Sequence, residues 1–209
     1  MYNIAMDFKI KKANYNSLSE ENFKQICEIE QSAGGYLDLI FDKNDMKYFL
    51  RSESYTSYIV LYENSVIGFI IYNQGYYLND DIYIIDVGVA ESYRKRNIAT
   101  NLIGITLQQL VKKDKSIKFL TLDVETTNEK AIKLYEKIGM KKSAIKSKNG
   151  ENNYCMIGEI SEILKNIADI NEKVKKKSPE KEHKNIKRKT GEVEIKSEDK
   201  KTKNEDFAL

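Results

Sequence analysis

IIDVGVAESYRKRNIATNLIGITLQQL, residues Ile84 to Leu110, changes its periodicity halfway along. The first part (Ile84, Ile85, Val87, Val89) is nearly continuous in β-branched residues, as a strand covered on both faces should be. The second part places Ile98, Leu102 and Ile105 on one helical stripe and Ile103, Leu107 and Leu110 on another beside it. Between them lies Arg94-Lys95-Arg96-Asn97-Ile98-Ala99-Thr100, a polar turn that opens the helix. The first amides of a helix have no intrahelical acceptor, and with cations beside them they form an anion site suited to phosphate. Taken alone, the same turn reads equally well as a surface loop with solvated charges.

Working outward, the chain of 209 residues has room for one ordinary domain and an appendage. Upstream, Phe8–Ala13 reads as a strand. Ser17 to Glu21 gives a serine cap with acidic residues behind it, starting a helix that runs through Phe23, Ile26, Cys27 and Ile29 to a stop at Gly34-Gly35. A shorter helix follows from Asn44 to Leu50. Tyr55–Tyr62 and Val66–Tyr72 form a hairpin turned by Glu63-Asn64-Ser65, and a loop through Tyr76, Tyr77 and Asp81 leads into the opening stretch. Downstream come a strand over Lys118–Val124, a helix from Asn128 to Ile138 stopped by Gly139, and two strands, Met140–Ile145 and Asn153–Ile160, joined at Lys148-Asn149-Gly150. A further helix is expected over 161–176. Residues 177–209 are charged and almost free of apolar side chains, and read as disordered. The element order predicts an α/β fold with a mixed, mostly antiparallel sheet and helices on both faces.

The charge is uneven. Between 171 and 209 thirteen Lys or Arg face nine Asp or Glu, a net +4, which leaves −1 for the rest of a chain whose total is +3. That gives no global case for nucleic acid, although the basic tail could touch a ribosome or RNA weakly. No apolar run is long enough for a membrane span and no leader pattern is visible, so a soluble, cytoplasmic protein is expected. Cys27 and Cys155 lack metal-type spacing and read as buried free thiols. The one histidine, His183, lies in the tail. The folded part therefore has no Ser-His or Cys-His pair and no histidine-ligated metal, and a metal site is not expected. Acid–base chemistry falls to carboxylates, tyrosines, lysines or a thiol.

Residues 84–103 resemble motif A of the GNAT superfamily of N-acetyltransferases, whose turn reads Gln/Arg-x-x-Gly-x-Gly/Ala; here it is Arg94-x-x-Asn97-x-Ala99. LDVETTNEKAIKLYEKIGM, Leu122 to Met140, is similar to that family's second hallmark, an L-E-V strand end, an Asn and an A-x-x-L-Y helix closed by glycine. The resemblance covers residues 7–158 and implies the GNAT acyl-CoA N-acyltransferase fold, with a domain over 1–160. Within the superfamily the spacing is most similar to ribosomal-protein alanine N-acetyltransferases and the catalytic subunits that acetylate protein N-termini. Enzymes that acetylate polyamines, other small amines or lysines share much of it. A non-catalytic module that binds acyl-CoA is the alternative of another class.

The resemblance implies acetyl-CoA as cosubstrate and assigns it residues. Arg94, Lys95, Arg96, Asn97, Ile98, Ala99 and Thr100 would hold its pyrophosphate, Val87, Gly88 and Val89 would meet its pantetheine arm as an added strand, and Asn128 would contact it, unless that residue only caps its helix. Asn97 stands where the family has glycine; asparagine tolerates the left-handed region best among other residues, so somewhat weaker cofactor binding is expected. Asp123 stands in the position of the family's base, one methylene shorter than glutamate, so a water relay is an option, and Glu125 is its backup. Asp123 reads alternatively as a helix-entry carboxylate. Tyr135 would donate to the departing thiolate, or else is a core tyrosine. The expected acceptor is the α-amine of a protein N-terminus, attacking directly in a ternary complex. Tyr36, Tyr76, Tyr77, Asp80 and Asp81 are a weaker hint, an acidic and aromatic rim suited to a cationic amine.

Overall fold

The computed structural model describes residues 8–32, 41–148 and 151–176. The chain divides into a unit of Met1–Glu172 and a second of Lys173–Leu209, and the whole sheet lies in the first. The tail 177–209, the glycine pair at 34–35, Tyr36 and the Asn149-Gly150 turn lie outside the described residues.

Among the described residues seven strands form one sheet in the order β1-β2-β3-β4-β5-β7-β6. They are β1 (Lys9–Ala13), β2 (Thr56–Tyr62), β3 (Ser65–Gln74), β4 (Asp81–Val89), β5 (Phe119–Glu125), β6 (Lys141–Lys148) and β7 (Glu151–Glu159). Only β4 and β5 run parallel; every other pair is antiparallel. That one parallel pair needs a crossover, which α3 (Ile98–Lys113) supplies. The β2–β3 hairpin turns on Glu63 and Asn64, both left-handed (φ 50° and 69°), as a two-residue turn between twisted strands requires.

Residues alternate along β3 between two cores. Ile70 and Tyr72 enter a cluster with Leu102, Ile103 and Leu107 of α3, Ile132 of α4 (Glu129–Lys137) and Ile163 and Ile167 of α5 (Ile160–Lys176). Phe69 and Ile71 enter the other, with Phe23, Ile26 and Ile29 of α1 (Glu20–Ser32) and Met46 and Leu50 of α2 (Lys43–Arg51). The sheet is thus covered on both faces, as expected. No helix among the described residues is long and apolar enough to cross a membrane.

One sequence expectation fails on α3. Ile105, placed on a buried stripe, is exposed, while Thr100, Gly104 and Thr106 are buried. The cause is α5. A side chain at Gly104 would stand 3.1 Å from Ile167 Cγ2, so the missing Cβ lets α5 pack directly on α3 and moves the buried arc around the helix, leaving Ile105 outside it. The serine cap expected within Ser17 to Glu21 is Ser19, whose Oγ accepts from Asn22 N at 3.1 Å.

The parallel pair is short. β4 and β5 are in register only from Asp81–Phe119 to Ile84–Leu122. At that point β4 carries a bulge, since Tyr72 of β3 faces Ile84 while Ile71 already faces Asp86. A bulge bends its strand and increases the twist. Beyond it β4 keeps β3 as a neighbour and no longer pairs with β5, and the two strands open a gap toward their C-terminal ends.

Candidate active site

The gap gives β4 a strand edge inside the sheet. Ala90 N donates to Ile67 O, so by the alternation of an antiparallel ladder Gly88 directs its backbone groups to Phe69, and Val87 and Val89 turn theirs to the side β5 has left. An extended ligand can pair there as a strand would. Gly88 is required for a different reason: a Cβ on it would lie 2.6 Å from Phe69 Cε1 and 2.8 Å from Ile29 Cγ2, so only glycine lets α1 seat this tightly on β4.

Following β4, Asn97 has φ 58° and ψ 20° and precedes α3 without giving it a side-chain cap. Lys95 is left-handed as well, with φ 62°, which its side chain gave no reason to expect. The first intrahelical bond is Asn101 N to Asn97 O, so the amides of Ile98, Ala99 and Thr100 precede the helical ladder. Ile98 and Thr100 bury their side chains, at 5% and 1% exposure, and meet the turn with backbone alone. This cradle, with two left-handed residues ahead of uncapped amides, fits a phosphate group. Arg94 is occupied otherwise. Its Nε donates to Val89 O and its Nη2 to Ser32 O, both at 2.9 Å, fastening the end of β4 to the end of α1. Arg96 Nη2 donates to Ser92 O at 3.0 Å, and its guanidinium lies 5.2 Å from the centre of the Tyr93 ring.

On the other side of the gap Asp123 sits on β5, one residue past the last pair with β4. Its Oδ2 accepts from Tyr77 Oη at 2.6 Å and is 3.4 Å from Tyr83 Oη. Burial, with the neighbouring Asp123 charge, raises both phenols above their ordinary range, so they act as donors near neutral pH. Tyr76 stacks on Tyr83 with centroids 4.2 Å apart. Cys155 of β7 is the register partner of Asp123, and both cysteines are free and half-buried. Glu125, two residues on, ends the strand near Thr127 Oγ1, 3.5 Å away.

Tyr135 projects from α4 into the larger core, with 7% of its surface exposed. Burial, aided by the charge of Asp86, pushes its phenol well above the ordinary range, so it too keeps its proton. Asn128 caps α4: its Oδ1 accepts from Ala131 N at 3.1 Å, which leaves its Nδ2 end as the donor.

The sequence reading omitted Asp86 and Glu30. Asp86 follows the bulge, and its Oδ2 is shut away from solvent with no hydrogen-bond partner among the described residues. Burial, and then the nearby carboxyl of Glu30 on α1, raise Asp86 well above the usual carboxylate range. Glu30 is 7% exposed, and its Oε1 accepts from Phe41 N at 3.3 Å. Two carboxyls this close in a dry site cannot easily both ionise. Neither residue belongs to a sequence pattern, because only the fold brings α1 against the bulge.

The acidic half of the proposed acceptor rim also changes. Asp81 is wholly buried and accepts from Tyr76 N, Tyr77 N and Thr121 Oγ1, so it faces no ligand. Asp80 lies 3.5 Å from Lys118 Nζ. Of its aromatic half, Tyr76 is exposed and Tyr77 donates to Asp123.

A sheet split after a bulge, an amide turn opening the crossover helix and a carboxylate across the split form one candidate site for an extended ligand with a phosphate end. The acetyltransferase (GNAT) family profile matches residues 18–140, and the chain belongs to that family. It is 28% identical over 123 residues to N-alpha-acetyltransferase 30 of Schizosaccharomyces pombe, covering 58% of this chain and 79% of that protein. It is 26% identical over 166 residues to an N-alpha-acetyltransferase of Saccharolobus solfataricus, covering 72% and 92%. Its fold superposes on the ribosomal-protein-S18-alanine N-acetyltransferase of Escherichia coli with a TM-score of 0.58 at 19% identity, covering 73% of this chain and 94% of that one. The chain is therefore an acetyl-CoA-dependent acyltransferase, and its family's donor supplies an activated thioester and a thiolate leaving group.

Proposed function

We propose that the protein acetylates the N-terminal α-amine of a polypeptide, by direct attack of the amine within a ternary complex. The observation that carries this reading is Asp123 where the β4–β5 gap begins, its carboxylate accepting from the Tyr77 phenol, with no histidine among the described residues. Asp123 accepts the proton of the attacking amine, directly or through one water. Tyr135, protonated and buried, holds a proton for the departing sulfur. The amides of Ile98 to Thr100 bind phosphate beside Lys95 and Arg96, the donor end of Asn128 reaches the cofactor, and the backbone of Val87 and Val89 aligns the pantetheine arm. Held in this geometry the two reactants need little further entropy loss, and that positioning accounts for much of the rate.

An α-amine has a pKa of about 7.7–8.0 and a lysine one of about 10.4, so one carboxylate suffices to deliver a neutral α-amine. The relatives' names, which concern α-amines and ribosomal-protein alanine, agree. A polyamine is disfavoured, because Asp81 is buried and Asp80 lies beside a lysine. The test is coenzyme A release over a panel of free-N-terminus peptides, the same peptides N-terminally blocked but containing lysine, and polyamines. Turnover of the free peptides alone is expected; equal turnover of the blocked peptides would move the reading to lysine.

A further inference from the structure

The loop between β3 and β4 reaches into the site from a distant part of the sequence, and its conformation is set by one buried carboxylate. Asp81, with no exposed surface, accepts from Tyr76 N at 2.9 Å, Tyr77 N at 3.1 Å and Thr121 Oγ1 at 2.7 Å, while its backbone carbonyl accepts from Gly75 N at 2.9 Å. Gly75 permits the reversal with φ 72°. The result is a compact turn tied at both ends to the sheet, its two tyrosines carried at fixed positions. Tyr76 lies against Tyr83, and Tyr77 extends across the sheet to Asp123 Oδ2 at 2.6 Å.

That distance matters. A phenol on a carboxylate at 2.6 Å is a charge-assisted bond, about twice as strong as a neutral one, and it fixes the plane of the carboxylate it holds. Asp123 lies within β5 where the gap begins, and the Tyr77 bond is shorter than the 3.4 Å approach of Tyr83 Oη to the same oxygen. We infer that Tyr77, held in place by Asp81, is a positioning residue for the reaction: it orients the Asp123 carboxylate toward the β4–β5 gap. The role rests on Asp123 as the base, which is the reading proposed above. Tyr77 keeps its proton throughout; the amine's proton goes to Asp123.

Tyr77→Phe keeps the ring and its edge contacts with Tyr76 and Tyr83 and removes only the donor. It should lower kcat about tenfold and leave KM for acetyl-CoA unchanged, because the base has lost the bond that orients it and the cofactor site is untouched. Asp81→Asn, which weakens the turn rather than the bond, should act in the same direction with a smaller fall in kcat. An arm independent of turnover follows the Asp123 side chain by NMR in the protein alone. It should hold one rotamer in the wild type and average over several in Tyr77→Phe, whether or not any amine proves to be a substrate. A fall in kcat with the Asp123 rotamer unmoved would make Tyr77 a mere wall and overturn the proposal, as would wild-type kinetics. Wild-type behaviour of Asp81→Asn would overturn its share.

Discussion

The two ends of the site are built in opposite ways. The proposed phosphate cradle, Lys95 to Thr100, is one continuous run whose conformation is local: two left-handed residues and the start of a helix. The proposed base end joins Asp123 of β5, Tyr83 of β4, Tyr77 of the preceding loop and Cys155 of β7, brought together only by sheet register. A local device depends on backbone angles and tolerates side-chain drift, as Asn97 in the glycine position illustrates. An assembled device depends on where several elements meet, so one side chain can disable it while the fold survives.

The largest effect should therefore come from the assembled end. Asp123→Asn is expected to lower kcat about 100-fold, the usual contribution of a general base, with acetyl-CoA affinity by calorimetry unchanged. Tyr135→Phe keeps the buried ring and should lower kcat about tenfold, again with binding intact; wild-type turnover would remove it from the mechanism.

Between the two ends lies the Glu30–Asp86 pair, which breaks the comparison differently. Asp86 has a raised folded-state pKa, so the folded protein holds its proton more tightly than the unfolded chain does. Stability should then be highest below the unfolded value of about 3.9 and fall as pH rises from there toward the folded pKa. Asp86→Asn removes that slope and should be more stable than wild type at pH 8 by on the order of 1 kcal/mol, measured by urea unfolding at pH 5 and pH 8. An unchanged slope would show that Asp86 is ionised and satisfied.

The smallest effect belongs to the local end. Asn97→Gly should tighten acetyl-CoA about two- to fivefold, because glycine adopts φ 58° without the crowding of a Cβ and opens the backbone to phosphate. No change would mean that asparagine already bears the turn at no cost, and Lys95, also left-handed, becomes the position to examine.

The strands, the crossover helix and the turn that opens it were legible because each rests on neighbours in the chain: alternation, helical spacing, a cap, a stop. Asp123 and Tyr135 became candidates only through the resemblance of the segment that holds them. Where the reading erred, a distant element was responsible. Ile105 was displaced from the core by α5 packing on Gly104, and Asp81 was taken from the acceptor rim by amides and a threonine that fold around it. Arg94 carries a third tertiary contact, its bonds to Val89 and Ser32, which no motif announces.

What the sequence determined by itself is the class of fold, the family and the cationic turn that opens the crossover helix, since hydrophobic period and turn chemistry act over a few residues. The tertiary structure alone decided where β4 leaves β5, that Tyr77 and Tyr83 meet Asp123, and that Asp86 and Glu30 share a dry site. The physical reason is that a bulge, a strand register and a packed helix set distances between residues tens of positions apart, and pairwise distances of that kind have no signature in local order.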